Sequence, residues 1–575
     1  MKIALAQINP TVGDFSGNLC KILDFAGRAG QLGADLVLFP ELAVCGYPPA
    51  DLLEKETFVA RAGQALDEVC AWTAEPGRPA VLCGGVLPVV GGGEGKQVRN
   101  VAVLMAAGKV VAVQQKMLLP FYDVFDEQRY FEPAAAQELA RVEIANGSAT
   151  VAVTVCEDAW NDKGFWPRRR YAVDPVERLM ESWKPEDGPR IILNLSASPF
   201  WQSKRAVRRQ MLGALAQRHN AVVLMVNQVG GNDSLVFDGS SIAVGPDGRV
   251  AAEALSFVED LVLVDTDEVA NRSNGAGGEQ QGSLQAITLP AQLAFEVEPT
   301  WQALVLGTRD YVRKCGFSKV LVGLSGGIDS ALVAAIAVEA VGAENVLGVG
   351  MPSVYSSEGS KDDARELAVR LGIGFELIPI HGAQTALLAS LDPLFAGTPF
   401  GLAEENLQSR LRGLLLMALS NKFGALVLTT GNKSEMSVGY CTLYGDMVGA
   451  LAVIGDVMKS NVYALSRYAN RERELIPEAT LVKAPSAELR PEQKDTDSLP
   501  PYEVLDPILE AYVERYCSAE EIAREQGCEV GLVRQVLQLV ERSEYKRQQA
   551  APVLKVTRKS FGTGRRFPIA VRYEV

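Results

Sequence analysis

Gly323-Leu324-Ser325-Gly326-Gly327-Ile328-Asp329-Ser330 decides how the second half of this chain is read. An apolar run at 320–324 enters the string as a strand, and a helical pattern at 330–341 leaves it. Glycines there let backbone N–H groups turn inward around phosphate oxygens, and the helix N-terminus adds a dipole that favours negative charge. A Walker loop places Lys before its Ser or Thr. Asp329 stands there instead, an acid suited to a magnesium ion between phosphates. A bare Gly-Gly turn with Asp and Ser as helix caps is usually structural; the whole string after a strand predicts a phosphate site.

Outward from it the alternation continues. Helical patterns at 301–315, 361–371 and 405–423 interleave with strands at 346–351, 375–380 and 425–430. This predicts an α/β domain with a doubly wound parallel sheet, its nucleotide at the carboxyl ends of the strands. Residues 488–501 are polar and Pro-rich and read as a mobile loop. From 518 the tail is helical, with the spacing of a helix-turn-helix. It carries little basic charge beyond Arg534, which favours a helical cap over DNA binding.

Upstream, 266–300 loses periodicity, and its polar Gly-rich core reads as a linker. Residues 1–265 alternate again, with strands at 2–7, 36–39, 80–84, 101–105, 110–114, 151–155, 191–195, 222–226 and 242–244. Helices fall at 18–32, 56–73 and 203–218, and residues 91–95 form a Gly-rich turn read as a hairpin. Two layered α/β domains follow, at 1–265 and 301–575.

Three reactive residues in the first domain each sit just past a strand: Glu41 after 36–39, Lys116 after 110–114 and Cys156 after 151–155. An amide hydrolase needs a nucleophile, a base to activate it and a cation for the tetrahedral oxyanion. Cys156, Glu41 and Lys116 fit those roles without histidine, and only His219 and His381 exist, both read as structural. Taken singly, a buried Cys is commonly a small core residue and a Lys at a strand end is usually solvated.

Composition bounds the rest. The 575 residues are 48% hydrophobic and 22% charged, ordinary for a folded protein. A net charge of −14 disfavours general nucleic-acid binding. Nine cysteines without a CxxC pair argue against a disulfide framework or zinc site. No stretch approaches the roughly 20 apolar residues that span a bilayer, and the start reads as a strand, so a cytoplasmic protein is expected.

The Ser-Gly-Gly-Ile-Asp-Ser string resembles the pyrophosphate loop of the N-type ATP pyrophosphatases, which adenylate a carboxyl or carbonyl oxygen before a nitrogen nucleophile displaces AMP. Thr429-Thr430-Gly431-Asn432-Lys433-Ser434-Glu435, the 406–412 segment, Ser486-Ala487-Glu488-Leu489-Arg490-Pro491 with Gln493-Lys494-Asp495, and Tyr545-Lys546-Arg547 resemble, in that order, segments of the NAD synthetases within that family. The resemblance implies ATP contacts at Gly323 through Ser330 and Thr430. It implies deamido-NAD contacts at Asn406, Glu435 and Lys546, and magnesium at Asp329 and Glu435. Lys459 and Lys494 are candidate cations for phosphate; Lys459 reads as the more ordinary surface or packing residue, because Lys494 sits in the loop.

The Glu41, Lys116, Cys156 set resembles the nitrilase-like carbon–nitrogen hydrolases over about 1–265, implying an α-β-β-α sandwich. The 119–131 stretch resembles the glutaminase branch fused to NAD synthetases. It implies glutamine held by Tyr122, Ser198 and Lys204, with Glu127 a second carboxylate near the Cys. The combined expectation is amidation of deamido-NAD with ammonia drawn from glutamine, in a dimer or larger homo-oligomer with a tunnel between the halves. An amidotransferase acting on another adenylated acid is the alternative, separable by substrate profiling. A non-catalytic nucleotide sensor would bind ATP without releasing pyrophosphate.

Overall fold

Alternating apolar residues in the first half build two facing sheets. In the computed structural model, which describes residues 1–89, 95–144, 147–272 and 295–572, the chain divides into two compact units. One comprises 1–232 and 236–272 among the described residues; the other comprises 233–235 and 295–572.

In the first unit one six-stranded sheet runs Asp260–Asp265, Lys2–Gln7, Leu36–Leu38, Ala80–Pro88, Val98–Ala106, Lys109–Gln115. The other runs Val250–Glu253, Ile242–Val244, Val222–Asn227, Ile191–Ser196, Gly147–Val155, Ala140–Ile144. The period of two sends Ile3, Leu5, Leu36 and Leu38 into one core with Val153, Val155, Leu193, Leu195 and Val226 of the opposite sheet. The intervening Ala152, Ile192, Val223 and Met225 face outward onto helices Pro175–Glu181 and Lys204–His219. Helices Phe15–Gln31 and Glu56–Trp72 cover the other sheet, completing the α-β-β-α sandwich.

Leu36–Leu38 and Ala80–Pro88 are parallel, and two antiparallel steps return Lys109–Gln115 to the same direction. Gly147–Val155 and Ile191–Ser196 are likewise parallel to each other. The residues that follow these strands are Glu41, Lys116, Cys156 and Ser198.

The second unit has five parallel strands in the order Gly374–Leu377, Val346–Gly350, Val320–Gly323, Leu426–Thr429, Leu451–Ala452. Chain order reverses at the central strand Val320–Gly323, and the crevice at such a switch point is where open α/β sheets bind ligands. Both faces are buried, so Val320–Gly323 reads as a continuous apolar run. Helices Tyr502–Arg515, Ala519–Gln526 and Val530–Arg542 share one core through Leu505, Ile508, Ile522, Val533 and Val540. Arg534 is ion-paired with Glu520.

Several elements differ from the sequence reading. Strands Ala140–Ile144 and Val250–Glu253 are sheet edges; charged residues interrupt the first, and the second is four residues long with none fully buried. Helix His381–Phe395 contains Pro393, a breaker signal, and strand Leu451–Ala452 has two residues. The predicted linker 266–300 carries helix at both ends, in Thr266–Arg272 and Val297–Lys314, while 273–294 lies outside the described residues. The turn at 91–95 also lies largely outside them, although its flanking strands Ala80–Pro88 and Val98–Ala106 pair antiparallel. All nine cysteines are free thiols, and no helix among the described residues is long and apolar enough to cross a membrane.

Candidate active sites

The first site is a set of buried charges. Lys116, wholly buried, donates from Nζ to Glu41 Oε1 at 2.6 Å and to both oxygens of Glu127 at 2.9 and 2.8 Å. Glu41 Oε1 also accepts from Asn100 Nδ2 at 2.7 Å, and Oε2 accepts from the Ala197 N–H at 3.1 Å. Tyr47 Oη donates to Glu127 at 2.9 Å. Burial opposes the charge of Lys116, but Glu127 and Glu41 outweigh it and hold its pKa well above the usual lysine value. Glu127 is pushed up to about 7, since burial and the nearby Glu41 outweigh the pull of Lys116.

Cys156 opens the turn Cys156–Ala159 at the end of strand Gly147–Val155, with φ of +42°. A non-glycine residue there is strained and must be held by its surroundings. Asp158 does part of this. One of its oxygens accepts from the Val155 N–H at 3.1 Å, and the other from the Met117 and Leu118 N–H groups at 3.1 and 2.8 Å. The Cys156 turn and the residues after Lys116 therefore share one carboxylate. Burial, then Glu41, raises the Cys156 thiol above its ordinary value, with Lys116 opposing. A thiol is a weak nucleophile until a base takes its proton.

Of the three residues predicted to hold glutamine, Tyr122 contacts this turn and Lys204 lies against the residue that follows it. Tyr122 Oη donates to both oxygens of Glu157 at 3.0 Å, beside Cys156. Lys204 Nζ donates to Pro199 O at 2.8 Å and lies 5.6 Å from the centre of the Trp160 ring. Ser198 is buried next to Ala197, its N–H donating to Asn227 Oδ1 at 2.9 Å.

The second site forms around the loop at 323–330. Gly326 has φ of +78°, and a Cβ there would sit 2.3 Å from Ser360 O, so only glycine fits. Ser325 Oγ accepts from the Gly327 N–H, and Ser330 Oγ donates to Gly327 O, folding the loop onto helix Ile328–Val341. The loop lines a cleft with Thr430, Glu435, Lys459 and Arg412. Asn432 Nδ2 donates to Asp329 Oδ1 at 2.9 Å, and the Asn432 N–H donates to Glu435 Oε2 at 3.2 Å. Lys459 pairs with Asp329 and, at 3.5 Å, with Glu435. Glu435 is pushed up to about 8, first by burial and then by Asp329.

Comparisons with known proteins match two families along the chain. The family model described as carbon-nitrogen hydrolase matches residues 2–272, and that described as NAD synthase matches 300–550. A glutamine-dependent NAD(+) synthetase from Synechocystis is 50% identical over 99% of this chain and 98% of its own. One from Thermotoga maritima is 43% identical over 100% and 99%. The chain belongs to the glutamine-dependent NAD(+) synthetase family. A solved member, the Acinetobacter baumannii synthetase in complex with ADP, is 38% identical with a TM-score of 0.72, covering 99% of this chain and 98% of that one.

Two of the predicted synthetase positions stand back from the cleft. Asn406 Oδ1 accepts from Thr442 Oγ1 at 2.6 Å, and Lys546 Nζ donates to Gly439 O and Cys441 O at 2.7 Å each. Both grip the 439–446 segment, which lines the cleft through Tyr440, Thr442 and Asp446. The ranking of the two lysines reverses. Lys459 is buried between the acids, whereas Lys494 is exposed, its backbone N–H capping onto Asp497. Lys459 lies after Met458, in a stretch without a phosphate-loop signature, so only the fold reveals its proximity to Asp329. Asn100 and Asp158 were also missed: a lone Asn inside a strand and an Asp after Glu carry no motif.

Proposed function

We propose that this chain makes NAD from deamido-NAD, ATP and glutamine, releasing AMP, pyrophosphate and glutamate. The observation that carries the reading is that one chain holds both a buried Glu41–Lys116 pair behind a strained Cys156 and a phosphate loop at a sheet switch point. The glutaminase domain takes 1–265 and the synthetase domain 301–575.

In the first site Glu41 takes the thiol proton of Cys156, and sulfur attacks the carboxamide carbon of glutamine. Lys116 stabilises the oxyanion with a charge that Glu41 and Glu127 sustain. The C–N bond breaks with a proton delivered to nitrogen, ammonia leaves, and water releases glutamate from the thioester. Tyr122, Ser198 and Lys204 hold glutamine's far end.

In the second site the N–H groups of Gly323 to Ser330 hold phosphate oxygens, and Thr430 meets the nucleotide. Asn406, Glu435 and Lys546 serve the deamido-NAD side, Asn406 and Lys546 through the segment they brace. Asp329 and Glu435 present carboxylate oxygens to the cleft, which suits a magnesium ion completed by phosphates and water. No cluster of three or more such ligands occurs among the described residues. When bound, magnesium neutralises phosphate charge and sharpens the leaving group. Lys459 holds the two acids together. The nicotinate carboxylate attacks the α-phosphorus, pyrophosphate leaves, and ammonia then displaces AMP.

We place the enzyme in the cytoplasm, since nine free thiols suit a reducing compartment. Exposed Leu387, Leu394, Leu402, Leu414 and Phe423 support a homo-oligomer, dimer or larger, which light scattering would test.

The deciding experiment compares glutamine with ammonium as nitrogen source for NAD formation from ATP, magnesium and deamido-NAD. Product from both is expected. Product from ammonium alone would refute the amidase assignment, and none from either would refute the synthetase assignment.

A further inference from the structure

Glu41 has its backbone and its carboxylate held by different means. The backbone at Pro40–Leu42 rides directly on strand Ala80–Pro88 at Gly84, where a Cβ would come within 2.4 Å of Pro40 O and 2.7 Å of Glu41 Cα. The carboxylate is oriented by three donors: Lys116 Nζ and Asn100 Nδ2 on Oε1, and the Ala197 N–H on Oε2.

These donors differ in what the reaction asks of them. Lys116 also donates twice to Glu127, and it must turn part of its hydrogen bonding toward the oxyanion as the tetrahedral intermediate forms. Asn100 has no such second duty. It lies mid-strand in Val98–Ala106, wholly buried, and its carbonyl accepts the Lys116 N–H at 2.9 Å. One residue thus ties Glu41 by its side chain and Lys116 by its backbone. Only the donor end of its amide is engaged: Oδ1 takes no hydrogen bond among the described residues. Burying an amide with an unpaired oxygen is costly, so packing alone does not account for an asparagine there.

We propose that Asn100 is a positioning residue for glutamine hydrolysis, holding the Glu41 carboxylate in the orientation from which it takes and returns the Cys156 proton. This rests on reading Glu41 as the base.

The test uses the full chain and two near-isosteric variants, Asn100→Leu, which lacks the donor, and Asn100→Asp, which replaces it with an acceptor. Measured are kcat and KM for glutamine hydrolysis, the rate of Cys156 alkylation by iodoacetamide, thermal unfolding and ammonium-driven synthesis. Loss of a hydrogen bond to a charged group predicts a fall in kcat of about 10- to 100-fold for Asn100→Leu. A larger fall is expected for Asn100→Asp. KM should stay within about twofold, alkylation should slow in parallel, and ammonium-driven synthesis should be unchanged. Should Asn100→Leu fail to fold, Asn100→Ala removes the amide without added bulk and is read the same way. Parental kcat in both variants would overturn the proposal. So would a kcat loss matched by a rise in KM and a lowered unfolding temperature, the pattern of a packing residue. Glu41→Gln separates the two levels: if it retains hydrolysis, the base assignment itself falls; if it is inactive while the Asn100 variants are parental, only the positioning role falls.

Discussion

Gly326→Ala puts the phosphate loop to its strictest test. The residue sits in the left-handed region at +78°, where a side chain costs roughly 1–2 kcal/mol. The added Cβ would lie 2.3 Å from Ser360 O and 2.8 Å from Ser360 Cα, about 1 Å inside ordinary contact with backbone that cannot rotate away. Ser360 belongs to the first turn of helix Glu358–Leu371, and its hydroxyl meets Glu488 of the loop over the cleft. Relief therefore requires either the phosphate loop or that helix to retreat by about 1 Å. A misplacement of that size near the chemistry can cost about 100-fold in rate. Ammonium-driven NAD formation and deamido-NAD-dependent ATP–pyrophosphate exchange should both fall by about that factor. Basal glutamine hydrolysis should persist. Synthesis within threefold of the parent would refute the claim that this loop's backbone holds the phosphates.

Cys156→Ala should abolish glutamine-driven synthesis and spare ammonium-driven synthesis, whereas Asp329→Ala should abolish both; coupled NAD formation reads each. Lys459→Met should leave Asp329 and Glu435 facing one another without a cation. It should lower stability by roughly 3–5 kcal/mol, measured by denaturant unfolding of the ligand-free protein. Glu127 has a folded pKa near 7 against 4.5 for the free side chain, so the fold holds an extra proton between those values. Relative to Glu127→Gln, the parent should lose stability as pH rises from about 4.5 through 7, in unfolding measured across that range. An opposite slope would reverse the assignment.

The strand cores were legible in the sequence because burial on both faces leaves short apolar runs, as at Ile191–Ser196 and Val320–Gly323. Glu41, Lys116 and Cys156 were legible for a related reason: reactive residues just past such runs collect at one end of a layered sheet. Edge strands were not, because Val250–Glu253 has one exposed and three half-buried positions and leaves no buried apolar run to read.

What the sequence alone determined, then, is local. A strand, a glycine-lined turn and a helix in register fix the loop at 323–330, since its backbone geometry depends on neighbours a few residues away. What only the tertiary structure decided is which distant charges meet. Lys459 reaches Asp329 across 130 positions, Asn100 reaches Glu41 across 59, and Lys546 braces Gly439 across 107. These contacts depend on which strand ends the sheet order brings together, and a charge in an ordinary-looking segment carries no mark of the partner it will have once buried.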